Sequence, residues 1–144
     1  MGSEPRVAES VPMGDTEFLA AFEAGTLPEE LFRHRDHVRA AWLLLRQDPP
    51  AAALARFSAA LKRFAAAHGK SRLYHETITW AYLLLIRERM GRMAVGDDWE
   101  AFARRNPDLL TWRPSILDTY YQPETLRSDL ARRVFLFPDR LARD

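Results

Sequence analysis

Four histidines, His34, His37, His68 and His75, are the residues of this chain best suited to chemistry. His34 and His37 are spaced one helical turn apart, so two imidazoles can meet one ion or one ligand. His75, on a neighbouring helix, can supply a third nitrogen, and Glu76, Asp36 or Glu17 an oxygen. Nitrogen and oxygen donors on helices suit zinc, iron or manganese better than copper(I), which prefers sulfur. On this reading the metal is zinc or iron, held by His34, His37 and His75. The paired Glu-x-x-His signature of di-iron bundles is absent, and so is His-Glu-x-x-His. A metal-free alternative uses His34, His37 or His75 as acid or base on a bound organic molecule, with Glu76 or Asp36 orienting the ring. A purely structural alternative stands beside both. His68 precedes Gly69, where a helix C-terminus favours it, and Glu76 suits a helix start. His34 and His37 can be satisfied by Asp36 or by backbone carbonyls.

These positions depend on the elements that carry them. Asp15 or Thr16 can cap a short helix bearing Phe18, Leu19 and Phe22, and Gly25 ends it. Thr26-Leu27-Pro28-Glu29 reads as a capping box. A second helix then runs to about Gln47, with Leu31, Val38, Ala41, Trp42 and Leu45 on one stripe. Asp48-Pro49-Pro50 stops it. A third helix runs from Pro50 to His68 and buries Leu54, Phe57, Leu61 and Phe64. Ser71 caps a fourth, reaching Met90 or Arg92, which is apolar almost all round and is therefore expected at the centre. A short helix with Trp99, Phe102 and Ala103 follows. Pro123 to Arg133 reads as a last helix, and Phe135 to Pro138 as an extended tail covering one side.

Tight corners make helices two, three and four antiparallel neighbours. Leu27 to Gln47 spans about 30 Å and Pro50 to His68 about 27 Å, so the chain returns to its starting level. His34 and His37, two to three turns into helix two, then share the lower half of the domain with His68 and His75. Val38, Ala41, Trp42 and Leu45 share a face with His34, and His75 lines up with Ile78, Thr79, Tyr82 and Ile86. Thr79 and Tyr82 add hydroxyls to that apolar interior, as a small-molecule site requires. Arg39 can bind a carboxylate, and Tyr120 and Tyr121 can close over a pocket, although solvated arginines and packed tyrosines are commoner.

Composition limits the classes of function. A net charge of +1, with basic residues scattered, gives no electrostatic case for nucleic acid. The absence of cysteine removes thiolate ligands and cysteine nucleophiles. There is no Gly-rich phosphate loop and no nucleophile elbow. Residues 1–14 read as a polar, flexible tail without a signal-peptide core, and no apolar run is long enough for a bilayer. A cytoplasmic protein is the default expectation.

Phe32-x-His34-x-x-His37-x-Arg39-x-Ala41-Trp42 and Tyr74-His75-Glu76-Thr77, followed by Tyr120-Tyr121, Leu126-x-Ser128, Ala131-Arg132 and Pro138-Asp139, resemble the motif layout of a family of small, functionally uncharacterised bacterial all-helical proteins. The resemblance spans about residues 17–139. It implies that the histidine and tyrosine segments form one unit, and it supplies no reaction.

The sequence therefore predicts an all-α fold: a compact helical bundle of about four main helices, residues 15–144, with a C-terminal wrap of short helices. The expected function is a small-molecule enzyme or binder. Its candidate groups are His34, His37, His75 and Glu76, with Arg39, Thr79, Tyr82, Tyr120 and Tyr121 around the ligand. The alternative is a non-catalytic interaction module that docks a partner or a second copy, as a homo-oligomer, through Trp99, Trp112 and Phe135 to Phe137.

Overall fold

The computed structural model describes residues 13–140, so most of the expected N-terminal tail, residues 1–12, lies outside the described residues. Every regular element among the described residues is helical. In chain order they are α1 (Asp15–Ala24), α2 (His34–Gln47), α3 (Pro50–Ala67), α4 (Glu76–Gly91), α5 (Trp99–Arg105), α6 (Pro107–Leu110), α7 (Pro123–Arg127) and α8 (Asp129–Arg133). Three 3₁₀ turns, Glu29–Leu31, Ser71–Leu73 and Ile116–Thr119, join them. No helix among the described residues is long and apolar enough to cross a membrane.

The centre of the fold is α2, not α4 as the sequence suggested. Val38 and the run Ala40 to Leu45 are buried all round α2, which packs on α1, α3, α4 and α6. Two alanines let neighbouring backbones approach, and three consecutive leucines fill the surrounding sides. In α4, by contrast, Leu84 is exposed and Trp80 half-buried, so its apolar circumference is only partly covered.

Aromatic packing joins the layers. Phe22, fully buried on α1, stacks on Phe32 at 4.7 Å between ring centroids and lies 6.1 Å from Phe57 of α3. Trp42 meets Trp99 at 5.7 Å and Phe102 at 6.2 Å. Trp99 is therefore core and not a docking residue: its ring packs on Trp42 of α2, and only 7% of it is exposed. Phe137, 82% exposed, and Trp112, 42% exposed, are the open members of that group.

Gly25 ends α1 at φ 77°, the left-handed region, where its N–H reaches back to Ala21 and Phe22 carbonyls. The positive φ calls for glycine, and a Cβ there would also press on the Arg63 side chain at 3.2 Å. Near the same end of α1, Arg56 of α3 fixes two elements. Its guanidinium grips Glu23 of α1 through two N–H groups, at 3.0 and 2.6 Å, and donates to Asp48 at 2.9 Å. Those carboxylates hold the Arg56 pKa above its ordinary value.

The last segment is tied to α4 by Thr77, which has no exposed surface. Its hydroxyl donates to the Val134 carbonyl at 2.8 Å and accepts from the Leu136 amide at 3.1 Å. The buried Tyr121 hydroxyl donates to the Leu136 carbonyl at 2.7 Å, and Phe135 stacks on Trp80 at 5.1 Å. The single helix expected over 123–133 is two, because Ser128 is extended and its hydroxyl caps the Ala131 amide at 3.1 Å.

Candidate functional site

Helix boundaries place the histidines. The second helix does not begin at Pro28. The chain turns once through Glu29–Leu31, extends at Phe32 and Arg33, and restarts where the Asp36 carboxylate accepts the Arg33 N–H at 2.9 Å. His34 is consequently the first residue of α2 and His37 lies in its first turn, not two to three turns in. His68 closes α3 before Gly69, which is left-handed at φ 69°. His75 is the N-cap of α4, since Ser71 only opens a 3₁₀ turn. Its Nδ1 accepts from the Ile78 amide at 3.1 Å, and the Thr79 hydroxyl donates to its carbonyl at 2.7 Å. A helix start, a helix end and a second helix start thus meet at one level, and all four imidazoles border one cavity of about 510 Å³.

Three rings are held in the same way. His34 donates its Nε2–H to the Leu109 carbonyl at 2.9 Å, His68 to the Leu27 carbonyl at 3.1 Å and His75 to the Leu126 carbonyl at 2.7 Å. A carbonyl can only accept, so each neutral ring carries its proton on Nε2 and a lone pair on Nδ1. In His75 that lone pair is used by the cap. In His34 and His68 it has no protein partner among the described residues, yet neither nitrogen is sealed from solvent. His37 makes no hydrogen bond of good geometry, stacks on Phe32 at 4.0 Å and keeps accessible surface where it borders the cavity.

The surroundings of His34, His37 and His75 favour the uncharged ring. Burial lowers the His37 pKa to about 3, helped by nearby His34 and opposed by the Phe32 carbonyl. Burial also lowers His34 and His75, against the pull of the Leu109 and Leu126 carbonyls, and Arg132 adds to the depression at His75.

Phe57 and Phe64 of α3 and Ile86 of α4 line the apolar part of the cavity, with Val38 beneath the histidines. At one end Tyr82 and Trp112 flank His34, each with its ring centroid 5.0 Å away. The Tyr82 hydroxyl lies 2.8 Å from Ser115 Oγ, and burial raises its pKa. Tyr74 donates to the Glu76 carboxylate at 2.6 Å, which leaves Ser58, at 2.8 Å, to donate to Tyr74. Burial first, then the carboxylate, pushes Tyr74 up to about 12.

Thr79 and Tyr82 border the cavity as the helical spacing suggested, and four other candidates do not. Arg39 turns to α1, where it pairs with Asp15 at 2.6 Å, donates to the Met13 carbonyl at 3.0 Å and covers the Phe18 ring. Glu76 is engaged by Tyr74 and orients no imidazole. Tyr121 is buried against α4, and Tyr120 faces outward. No three histidine or carboxylate side chains among the described residues are grouped to hold a metal ion. Each Nε2–H at His34, His68 and His75 already serves a carbonyl, so none of the three Nε2 atoms offers a lone pair to a metal. Sequence reasoning missed Phe32, Lys70, Tyr74 and Arg132 as cavity residues and took Trp112 for a docking residue. Phe32 and Tyr74 had a signal, since each stands directly before a helix start that carries a histidine.

No protein-family model, curated protein or solved structure matches the chain.

Proposed function

We propose that the chain binds a small, largely apolar organic molecule in this cavity, with His34 and His37 meeting its polar part. The observation that carries this is the conjunction of a cavity of about 510 Å³, walled by aromatic rings, with imidazole nitrogens that have no protein partner. Small-molecule sites fall in that size range and combine apolar walls with a few convergent polar groups. A polar atom left without a partner beside an apolar space is costly unless water or a ligand meets it. The lone pairs of His34 and His68 accept, so the favoured ligand carries a hydroxyl or N–H. On this reading the C-terminal segment wraps α4 and keeps its cavity face in place.

If the bound molecule is also transformed, His34 is the proton acceptor. The Leu109 carbonyl behind Nε2–H fixes the ring and stabilises the imidazolium that forms when Nδ1 takes a proton. His37, at a pKa of about 3, stays neutral near pH 7 and acts as a hydrogen-bonding group. Neither role requires a metal.

The test uses the full chain and the neutral fluorescent dye 2-naphthol, whose hydroxyl can donate to an imidazole nitrogen, with Ala65→Trp as a cavity-filling variant, since Ala65 borders the space from α3. The expected result is stoichiometric dye binding that shifts the His34 and His37 ring resonances, lost in a variant of unchanged circular dichroism. Dye binding that moves neither imidazole, or that persists in Ala65→Trp, overturns the reading.

A further inference from the structure

The mouth of the cavity differs in charge from its floor. Val38, Phe57 and Ile86 are buried and form the floor, whereas Leu73, 64% exposed, and the exposed Lys70 and Arg132 mark the opening. Three residues that carry full charge border the space: Glu29, Lys70 and Arg132. Glu29 and Lys70 are bonded to each other. Arg132 forms no ion pair with a carboxylate among the described residues. One Nη1–H donates to the Arg72 carbonyl at 3.0 Å, which anchors the guanidinium beside His75 and leaves its other N–H groups for another acceptor. Arg132 therefore gives the opening a positive charge that no carboxylate of the lining offsets.

We propose that the ligand is an organic monoanion, a carboxylate whose head meets Arg132 while its apolar body lies against the aromatic floor and carries the hydroxyl or N–H that meets the His34 and His37 end. This rests on the cavity being a binding site, as proposed above. A planar guanidinium held by a carbonyl suits a carboxylate, which it can meet through two N–H groups. The competing choice is a cation held by aromatic faces. It is disfavoured because no free carboxylate borders the space: Glu29 serves Lys70, and Glu76 serves Tyr74 outside the lining. A dianion is disfavoured as well, because Lys70 is already committed and Arg132 alone cannot balance two charges.

Three probes of one shape decide the matter: 2-naphthoate, 2-naphthalenemethanol and 2-naphthylmethylammonium, titrated calorimetrically into the full chain and into Arg132→Gln and Arg132→Lys. The carboxylate is expected to bind about tenfold more tightly than the alcohol, as a charge-assisted hydrogen bond implies. Arg132→Gln is expected to erase that margin without weakening the alcohol, and Arg132→Lys to restore part of it. If the alcohol or the ammonium binds best, or if the margin survives in Arg132→Gln, the anion inference falls while the cavity reading stands. If none of the three binds, both fall.

Discussion

Acidification from pH 7.5 to 5 is expected to cost the folded chain about 2 kcal/mol through His37 alone. In the unfolded chain this ring takes up a proton as the pH falls through its ordinary value of 6.5, whereas in the folded chain it stays neutral down to about 3. Between those values the unfolded state holds more protons, so stability falls with pH. Above the ordinary value the effect vanishes, and below about 3 it stops growing. His34 and His75 are depressed too and act with the same sign, so acid sensitivity by itself does not identify His37. His37→Phe isolates it, because a phenyl ring keeps the stack on Phe32 and cannot titrate. Urea unfolding followed by circular dichroism, for both proteins at both pH values, gives the double difference directly. The parent chain should lose about 2 kcal/mol more than His37→Phe on acidification, with equal m-values. Equal losses would show that the ring is protonated in the folded state at pH 5, and the argument for a neutral polar group in the cavity would fail with it.

Three further outcomes are expected. Thr77→Val keeps the shape but leaves the Val134 carbonyl and Leu136 amide without a partner, so it should cost about 2 kcal/mol and speed Leu136 amide exchange; unchanged exchange would contradict the contact. His75→Ala removes a helix cap and the Leu126 bond and should cost about 2 kcal/mol, while His75→Asn, which still caps, should recover about half in thermal unfolding; equal losses would deny the cap. Dialysis against a strong chelator should leave the melting temperature unchanged, because no donor cluster is formed among the described residues; a large drop would contradict the geometry of the rings.

Element type was legible in this sequence wherever punctuation was strong. Gly25, Pro49-Pro50 and Gly69 end or start helices as their chemistry requires, and the stripe of Phe57, Leu61 and Phe64 faces inward. Helix starts were harder. Thr26 and Pro28 resemble a helix start, but the decisive group was Asp36, three residues after Arg33, whose carboxylate accepts the Arg33 N–H and restarts the helix at His34. His75 capped α4 with a ring nitrogen, a role more usual for Ser, Thr, Asp or Asn. These late starts moved His34 and His37 to the helix end, so the four imidazoles share one level by a different route from that inferred from helix lengths. Arg132 and Lys70 were not legible as cavity residues, since their positions depend on how α8 and the Ser71–Leu73 turn settle on the rest of the chain.

The three imidazole bonds have a consequence for how the chain matures. Leu109, Leu27 and Leu126 lie 75, 41 and 51 residues from the rings they anchor. Contacts of such long range form only after much of the chain has collapsed, because closing the intervening loops has an entropic cost. A nascent polypeptide that has not yet emerged as far as Leu126 can hold α1 to α4 but lacks the acceptor that fixes His75. On the proposed reading, a fragment that stops before Leu126 is expected to lack the anchored His75 and to bind no ligand.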